Sequence, residues 1–172
     1  MIPNINKILY ATDLSDNSAY AFRYAINSAL KHDAGVIILH VFEILSMTNR
    51  AVLDLYLDED FRNRIFNERI SDTIDRIRKR LKIFCEKEFH GDPKNADRVE
   101  SIEVCEGFPA EEILKKADEF SCDAIVMGTH GKGLIGHAFL GSTAKRVLRR
   151  TRKPVFIIPL PKGETDITFH DL

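Results

Sequence analysis

A chain of 172 residues and 19.6 kDa has the length for one ordinary domain with a real core, not for two large ones. Its 25 Lys and Arg against 26 Asp and Glu leave a net charge of −1, which argues against a protein that coats nucleic acid or anionic membrane, and 44% apolar with 30% charged residues excludes wholesale disorder. The longest apolar run, Gly35 to Phe42, is interrupted by His40 and falls far short of the ~20 residues that span a bilayer; Met1-Ile2-Pro3-Asn4 has neither the basic nor the apolar region of a secretory leader.

Lys7 to Ala11 predicts a first strand. Ser15-Asp16 then supplies an N-cap and a first-turn acid, and Phe22, Ala25, Ile26, Ala29 and Leu30 follow at helical spacing before Gly35. Val36 to Phe42 is β-branched and apolar on both faces, as a buried parallel strand requires. Residues 43–61 fit least well: Val52, Leu53, Leu55, Tyr56 and Leu57 are too apolar for a plain loop and suit a short helix, a flap or an interface. Arg62 to Phe89 predicts a long helix with Phe66, Ile70, Ile74, Ile77, Leu81 and Phe84 on one face. Asp72, Asp75, Arg76, Lys79 and Arg80 lie opposite, with two Asp-to-cation pairs at i,i+4. His90-Gly91-Asp92-Pro93 ends it.

Ser101 to Cys105 predicts a third strand. Pro109 opens the next helix, with Glu111 and Glu112 in its first turn and Ile113, Leu114, Ala117 and Phe120 facing the core. Asp123 to Met127 predicts a fourth strand, a glycine-rich loop follows, then a helix from about Ser142 to Thr151 and a fifth strand, Val155 to Ile158, between two prolines. Strands separated by helices pair in parallel, so the pattern predicts an open, doubly wound α/β sheet with helices on both faces. Residues 1–172 read as a single domain with 160–172 as a loose tail.

Glycine usage is the sharpest chemical signal. Five of the nine glycines fall between 128 and 141, between a strand and a helix. Backbone amides there can approach a ligand closely, and the following helix N-terminus favours an anion such as phosphate. Gly131-Lys132-Gly133-Leu134-Ile135-Gly136 matches G-x-G-x-x-G, but it follows the fourth strand, not the first, and Val155 and Phe156 stand where an acidic residue is needed. Gly136-x4-Gly141-Ser142-Thr143 lacks the lysine of a phosphate-binding P-loop.

The third pattern, Gly128-x2-Gly131-x9-Gly141-Ser142, resembles the nucleotide-binding signature of the universal stress protein family, in its ATP-binding branch. The likeness extends over nearly the whole chain. It takes in Ile8 to Ser15 at the first strand, His40-Val41 at the second, Gly107-x-Pro109, Asp123 to Gly131, Leu140 to Ala144, and Lys153-Pro154-Val155. The segment after Val41 and the long helix depart from the family in length. The resemblance implies a five-stranded sheet of order 3-2-1-4-5, which makes strands 1 and 4 neighbours at a topological switch point. Ligands bind there, at the carboxyl ends of the strands.

On that order, Gly128, Gly131, Gly141 and the Ser142 and Thr143 hydroxyls hold phosphates. Asp13 bonds ribose or backbone donors, or reaches a Mg²⁺ that bridges the phosphates. The resemblance further implies that Ala11, Thr12 and the Val41 backbone line the adenosine end, with Met127 near the ribose; His130 and Lys132 are outer phosphate contacts. The resemblance implies ATP, accompanied by Mg²⁺, or else ADP or AMP, as the ligand. Dimerisation through Val155, Phe156, Ile157 and Ile158 is implied as well; that neither nucleic acid nor membrane is a partner is expected from the charge balance alone.

Plainer readings stand beside these. Asp13 also suits a capping role with Ser15, and His40 suits a satisfied core histidine. The six cations between Lys145 and Lys153 suit a solvated face at a helix C-terminus. Three cysteines, Cys85, Cys105 and Cys122, form no CxxC and no even framework, so buried thiols in a reducing cytoplasm are expected. No catalytic set accompanies the cradle. This favours a binder or a slow hydrolase over a fast enzyme. The leading reading is a nucleotide-dependent regulatory or sensor module, with a slow ATPase or nucleotidyl-transfer enzyme in the same pocket, and an AMP-binding or nucleotide-free partner-binding scaffold, as alternatives.

Overall fold

The computed structural model describes residues 2–42, 59–89, 92–129 and 140–159, with backbone alone at 16 and 59–67. Its elements are β1 (Lys7–Thr12), α1 (Asp16–His32), β2 (Gly35–Phe42), α2 (Glu59–Phe89), α3 (Pro93–Ala96), β3 (Val99–Glu106), α4 (Pro109–Glu119), β4 (Ala124–Gly128), α5 (Ser142–Arg150) and β5 (Val155–Ile158). All four strand pairings are parallel and the order is β3-β2-β1-β4-β5, as the resemblance implied.

Strand side chains alternate between two cores. Ile8, Tyr10, Val36, Ile38 and Val126 face the layer of α1 and α2, where Phe22 packs its ring against Tyr10, Phe84 and Phe89. Leu9, Ala11, Ile37, Leu39, Ile125 and Met127 face α4 and α5 through Ile113, Ala117, Ala144 and Val147. The first two crossovers therefore run over one face and the last two over the other. The carboxyl ends of β1 and β4 are left adjacent at the switch point.

Several expectations change in detail. The second strand, expected from Val36, begins at Gly35, and α1 is closed by Asp33 in the left-handed region at φ 54°. Leu30, placed on the helical stripe, is 41% exposed. Asp75 pairs with Arg78 three residues on, at 3.3 Å, not with Lys79 four residues on. The short helix α3 was not foreseen. Its start is set by Asp92, whose carboxylate accepts the Lys94 N–H at 3.0 Å ahead of Pro93. The apolar stretch 51–57, residues 90–91 and the tail 160–172 lie outside the described residues. Among the described residues no helix is long and apolar enough to cross a membrane.

Candidate functional site at the carboxyl ends of β1 and β4

The turn from β1 into α1 is built from short polar side chains. Ser15 is the N-cap of α1 and forms a reciprocal capping box with Ser18. Asp13 braces that cap: its Oδ1 accepts the Ser15 N–H at 3.1 Å and the Ser15 hydroxyl at 2.5 Å. The Thr12 hydroxyl accepts the Leu14 N–H at 3.1 Å and lies 2.9 Å from the Ser18 hydroxyl. Between them Leu14 is forced to φ 61°, a region an aliphatic residue rarely adopts. Its side chain, 5% exposed in the α1-side core, holds it there. His40 is a satisfied core histidine, as expected, with Nδ1 2.8 Å from the Thr12 carbonyl.

The sequence-predicted residues divide by face. Ala11, Val41 and Met127 come from three neighbouring strands and pack in one apolar cluster with Leu140, on the α4–α5 face. Thr12 is buried, with its hydroxyl engaged at the start of α1 on the other face. Gly141 is the N-cap of α5 and contributes no side-chain cap, and the first turn of α5 holds no acid. The early amides of a helix have no intrahelical acceptor, so this N-terminus suits an anion. Ser142 stands exposed and Thr143 half-buried at that end. His130, Gly131 and Lys132 lie outside the described residues.

Gly128 has a reason for being glycine that the sequence did not disclose. A Cβ there would lie 2.5 Å from Asn17 Oδ1 and 3.3 Å from the Asn17 carbonyl carbon. Asn17, from the first turn of α1, is 7% exposed and bonded to both Thr129 and Ile158. A polar residue two places after an N-cap was the available signal, but position alone does not say that it is buried.

The remaining chemistry is quiet. Desolvation pushes the Cys85 thiol up to about 12 and Cys122 up to about 11, and raises Cys105, which is half-buried where a buried thiol was expected. None is a ready nucleophile at neutral pH. The basic face of α5 is solvated as expected. Arg150 pairs with Glu111 of α4, and Lys153 with Asp118 at 3.2 Å. No group of three or more His, Cys, Asp or Glu among the described residues could hold a metal ion.

A parallel 3-2-1-4-5 sheet with an uncapped helix N-terminus at its switch point defines a class of ligand-binding α/β domain. Within that class, the universal stress protein family model matches residues 4–159, and the chain belongs to that family. Universal stress protein MJ0577 of Methanocaldococcus jannaschii is 30% identical over 163 residues, covering 88% of this chain and 93% of its own. The solved structure of MJ0577, described as a structure-based assignment of biochemical function, superimposes with a TM-score of 0.69 at 25% identity, over 94% of this chain and 100% of that one. A universal stress protein solved in complex with cAMP shares the fold at 21% identity and TM-score 0.53, over 91% of this chain and 98% of its own.

Proposed function

We propose that this chain binds an adenine nucleotide, ATP with its Mg²⁺ or the mono- or diphosphate, as a dimeric cytoplasmic regulatory or sensor module. One observation carries the reading: an α5 N-terminus that Gly141 leaves without a side-chain cap stands beside an apolar cluster of Ala11, Val41 and Met127. The pair suits a ligand that is anionic at one end and apolar at the other. The early amides of α5, the Ser142 and Thr143 hydroxyls and the glycine loop would hold phosphates, and the strand ends would receive base and ribose. With no protein cluster for a metal among the described residues, Mg²⁺ would arrive on the phosphates, with Asp13 as the carboxylate within the site. The bound nucleotide supplies charge and shape for recognition by a partner.

Dimerisation is assigned to β5. Among the described residues it pairs with β4 alone and is the last strand of the sheet, and Phe156 is 39% exposed on it. Two such edges meeting about a two-fold axis would bury both.

Isothermal titration with ATP–Mg²⁺, together with mass spectrometry of the denatured purified protein, tests the reading. Saturable heat at one site per chain or a co-purified adenine nucleotide supports it. No heat, no thermal shift and no retained nucleotide refute it.

A further inference from the structure

The charges of this chain are segregated along its sequence. Of the 25 cations, eight fall between Ala124 and Gly163, where there is no Asp or Glu; the other 17 stand against all 26 acids and leave the rest of the chain at −9. The excess is concentrated on α5. Ala144 and Val147 are buried against the sheet, so by helical spacing Ser142, Lys145, Arg146 and Arg149 form the face turned away from it, and all four are exposed. The neighbouring surface balances its charges: Lys115 pairs with Glu112, Lys116 with Glu119, Arg150 with Glu111 and Lys153 with Asp118. Among the described residues no ion pair reaches Lys145, Arg146, Arg149 or Arg152.

This arrangement works against the helix that carries it. Lys145 stands in the first turn, at the positive end of the helix dipole, and like charges meet at i,i+4 between Lys145 and Arg149 and between Arg146 and Arg150. Folding alone favours an acid at position 145. Leu148, one turn beyond Lys145, is 40% exposed within the same basic surface.

We infer that the outer face of α5 is a docking surface for an acidic helical segment of a partner protein. The inference goes beyond nucleotide binding and does not depend on it. Charge complementarity sets the sign of the partner, and dimensions set its class. Lys145 and Arg149 are separated by about 6 Å along the axis, the rise that also separates carboxylates at i,i+4 on a facing helix. Leu148 offers an apolar contact beside them. The helix is only about 13 Å long and is bordered by Glu111 and Asp118, so a nucleic-acid duplex, with one charge per ~1.7 Å, would overrun it onto acidic surface. A single exposed leucine is too little to anchor the face in a membrane.

The test is fluorescence anisotropy of the full chain with a labelled synthetic helical peptide of about 14 residues, with glutamates at i,i+4 steps and leucines beside them. A peptide of the same composition with its glutamates scattered round the helix, a short DNA duplex and phosphatidylserine vesicles are the comparison probes. The wild type should bind the first peptide about tenfold or more tighter than the scattered one, with an affinity that falls as salt rises. Arg146→Glu with Arg149→Glu should abolish this preference and Leu148→Ser should weaken it. Arg76→Glu with Lys79→Glu, on the exposed face of α2, should leave it intact. Arg146→Gln with Arg149→Gln carries the test if the charge reversal does not fold. Lys145→Glu separates docking from a structural role: it should lose the peptide yet melt at a higher temperature, because it relieves both the dipole and the like-charge penalty. No binding, equal binding of the two peptides, an equal loss in the α2 control, unchanged affinity in Leu148→Ser or a lower melting temperature of Lys145→Glu overturns the inference. Tighter binding of the duplex or the vesicles than of the peptide overturns it in favour of that polyanion.

Discussion

Replacing Gly128 by alanine puts one methyl group into the contact between β4 and α1. The new Cβ would lie 2.5 Å from Asn17 Oδ1, 2.9 Å from Asn17 Cγ and 3.3 Å from the Asn17 carbonyl carbon. The first two distances are impossible, so the amide must rotate away, and with it go the hydrogen bonds to Thr129 and Ile158. Overpacking of this kind costs about 1–3 kcal/mol, and two neutral hydrogen bonds are worth about 1 kcal/mol each. Asn17→Ala alone loses the bonds without the clash, a cost of about 2 kcal/mol. The double variant removes Oδ1 and Cγ and leaves the carbonyl carbon contact, which a shift of a few tenths of an ångström relieves. It should therefore be nearly as stable as Asn17→Ala. The coupling then cancels nearly the whole cost of Gly128→Ala, about 2 kcal/mol or more, well above the scatter for independent sites. Urea unfolding at fixed protein concentration with matched m-values measures it. Additive costs, or a Gly128→Ala protein as stable as wild type, would refute the steric reasoning.

Ser142→Asp places a carboxylate at the α5 N-terminus, so it should stabilise the apoprotein by about 0.3–1 kcal/mol while weakening ATP–Mg²⁺ binding tenfold or more; a stability gain with unchanged affinity would separate the anion from this helix. Phe156→Asp should give a monomer by size-exclusion chromatography with light scattering, and an unchanged dimer would move the interface off β5. Gly107→Ala should lower stability by about 1 kcal/mol or more. Gly107 sits at φ 154° with its prospective Cβ 2.6 Å from Glu112 Cγ, and thermal melts test this. The thiols set an alkaline limit. Unfolded cysteines ionise near 9.0, whereas Cys122 and Cys85 stay protonated to about 11 and about 12. The unfolded state then binds fewer protons, so stability should fall as pH rises from about 9 to about 12, and not below 8. Urea midpoints at pH 8 and 10.5 would show this, and Cys85→Ala should flatten the slope.

The sheet was legible because its strands are short apolar runs separated by amphipathic helices, and a run such as Val36 to Phe42 suits only burial on both faces. Strand order was not in the periodicity; it came from the glycine motif and the family it resembles. Helix ends were less legible. Asp33 and Ser121 take the left-handed conformation that glycine usually supplies, and no sequence rule singles out a non-glycine residue for it. In the site, Ala11, Val41 and Met127 were named by resemblance and do share one face. Asn17 and Thr129 were missed because their bonds run between residues 112 and 141 positions apart.

The two readings of Asp13 do not compete. Ser15 engages Oδ1, and a carboxylate has roughly four acceptor sites over its two oxygens, so bracing the N-cap does not by itself preclude the proposed ligand role. The bracing also fixes where the carboxylate sits. The peptide after it is held at Leu14 in a strained conformation by the Thr12 hydroxyl on one side and by core burial of the leucine side chain on the other. A carboxylate presented from a turn fixed in this way would meet the proposed ligand without first losing backbone freedom, which is where binding energy is otherwise lost. Asp13→Asn should therefore disclose both roles at once. The amide oxygen can still accept from Ser15, so the fold is kept with a loss of under about 1 kcal/mol. Any Mg²⁺-dependent part of nucleotide affinity should fall, because the charge is gone. Titrations of the variant with ATP in Mg²⁺ and in EDTA separate the two: equal loss in both would show that Asp13 serves the turn alone.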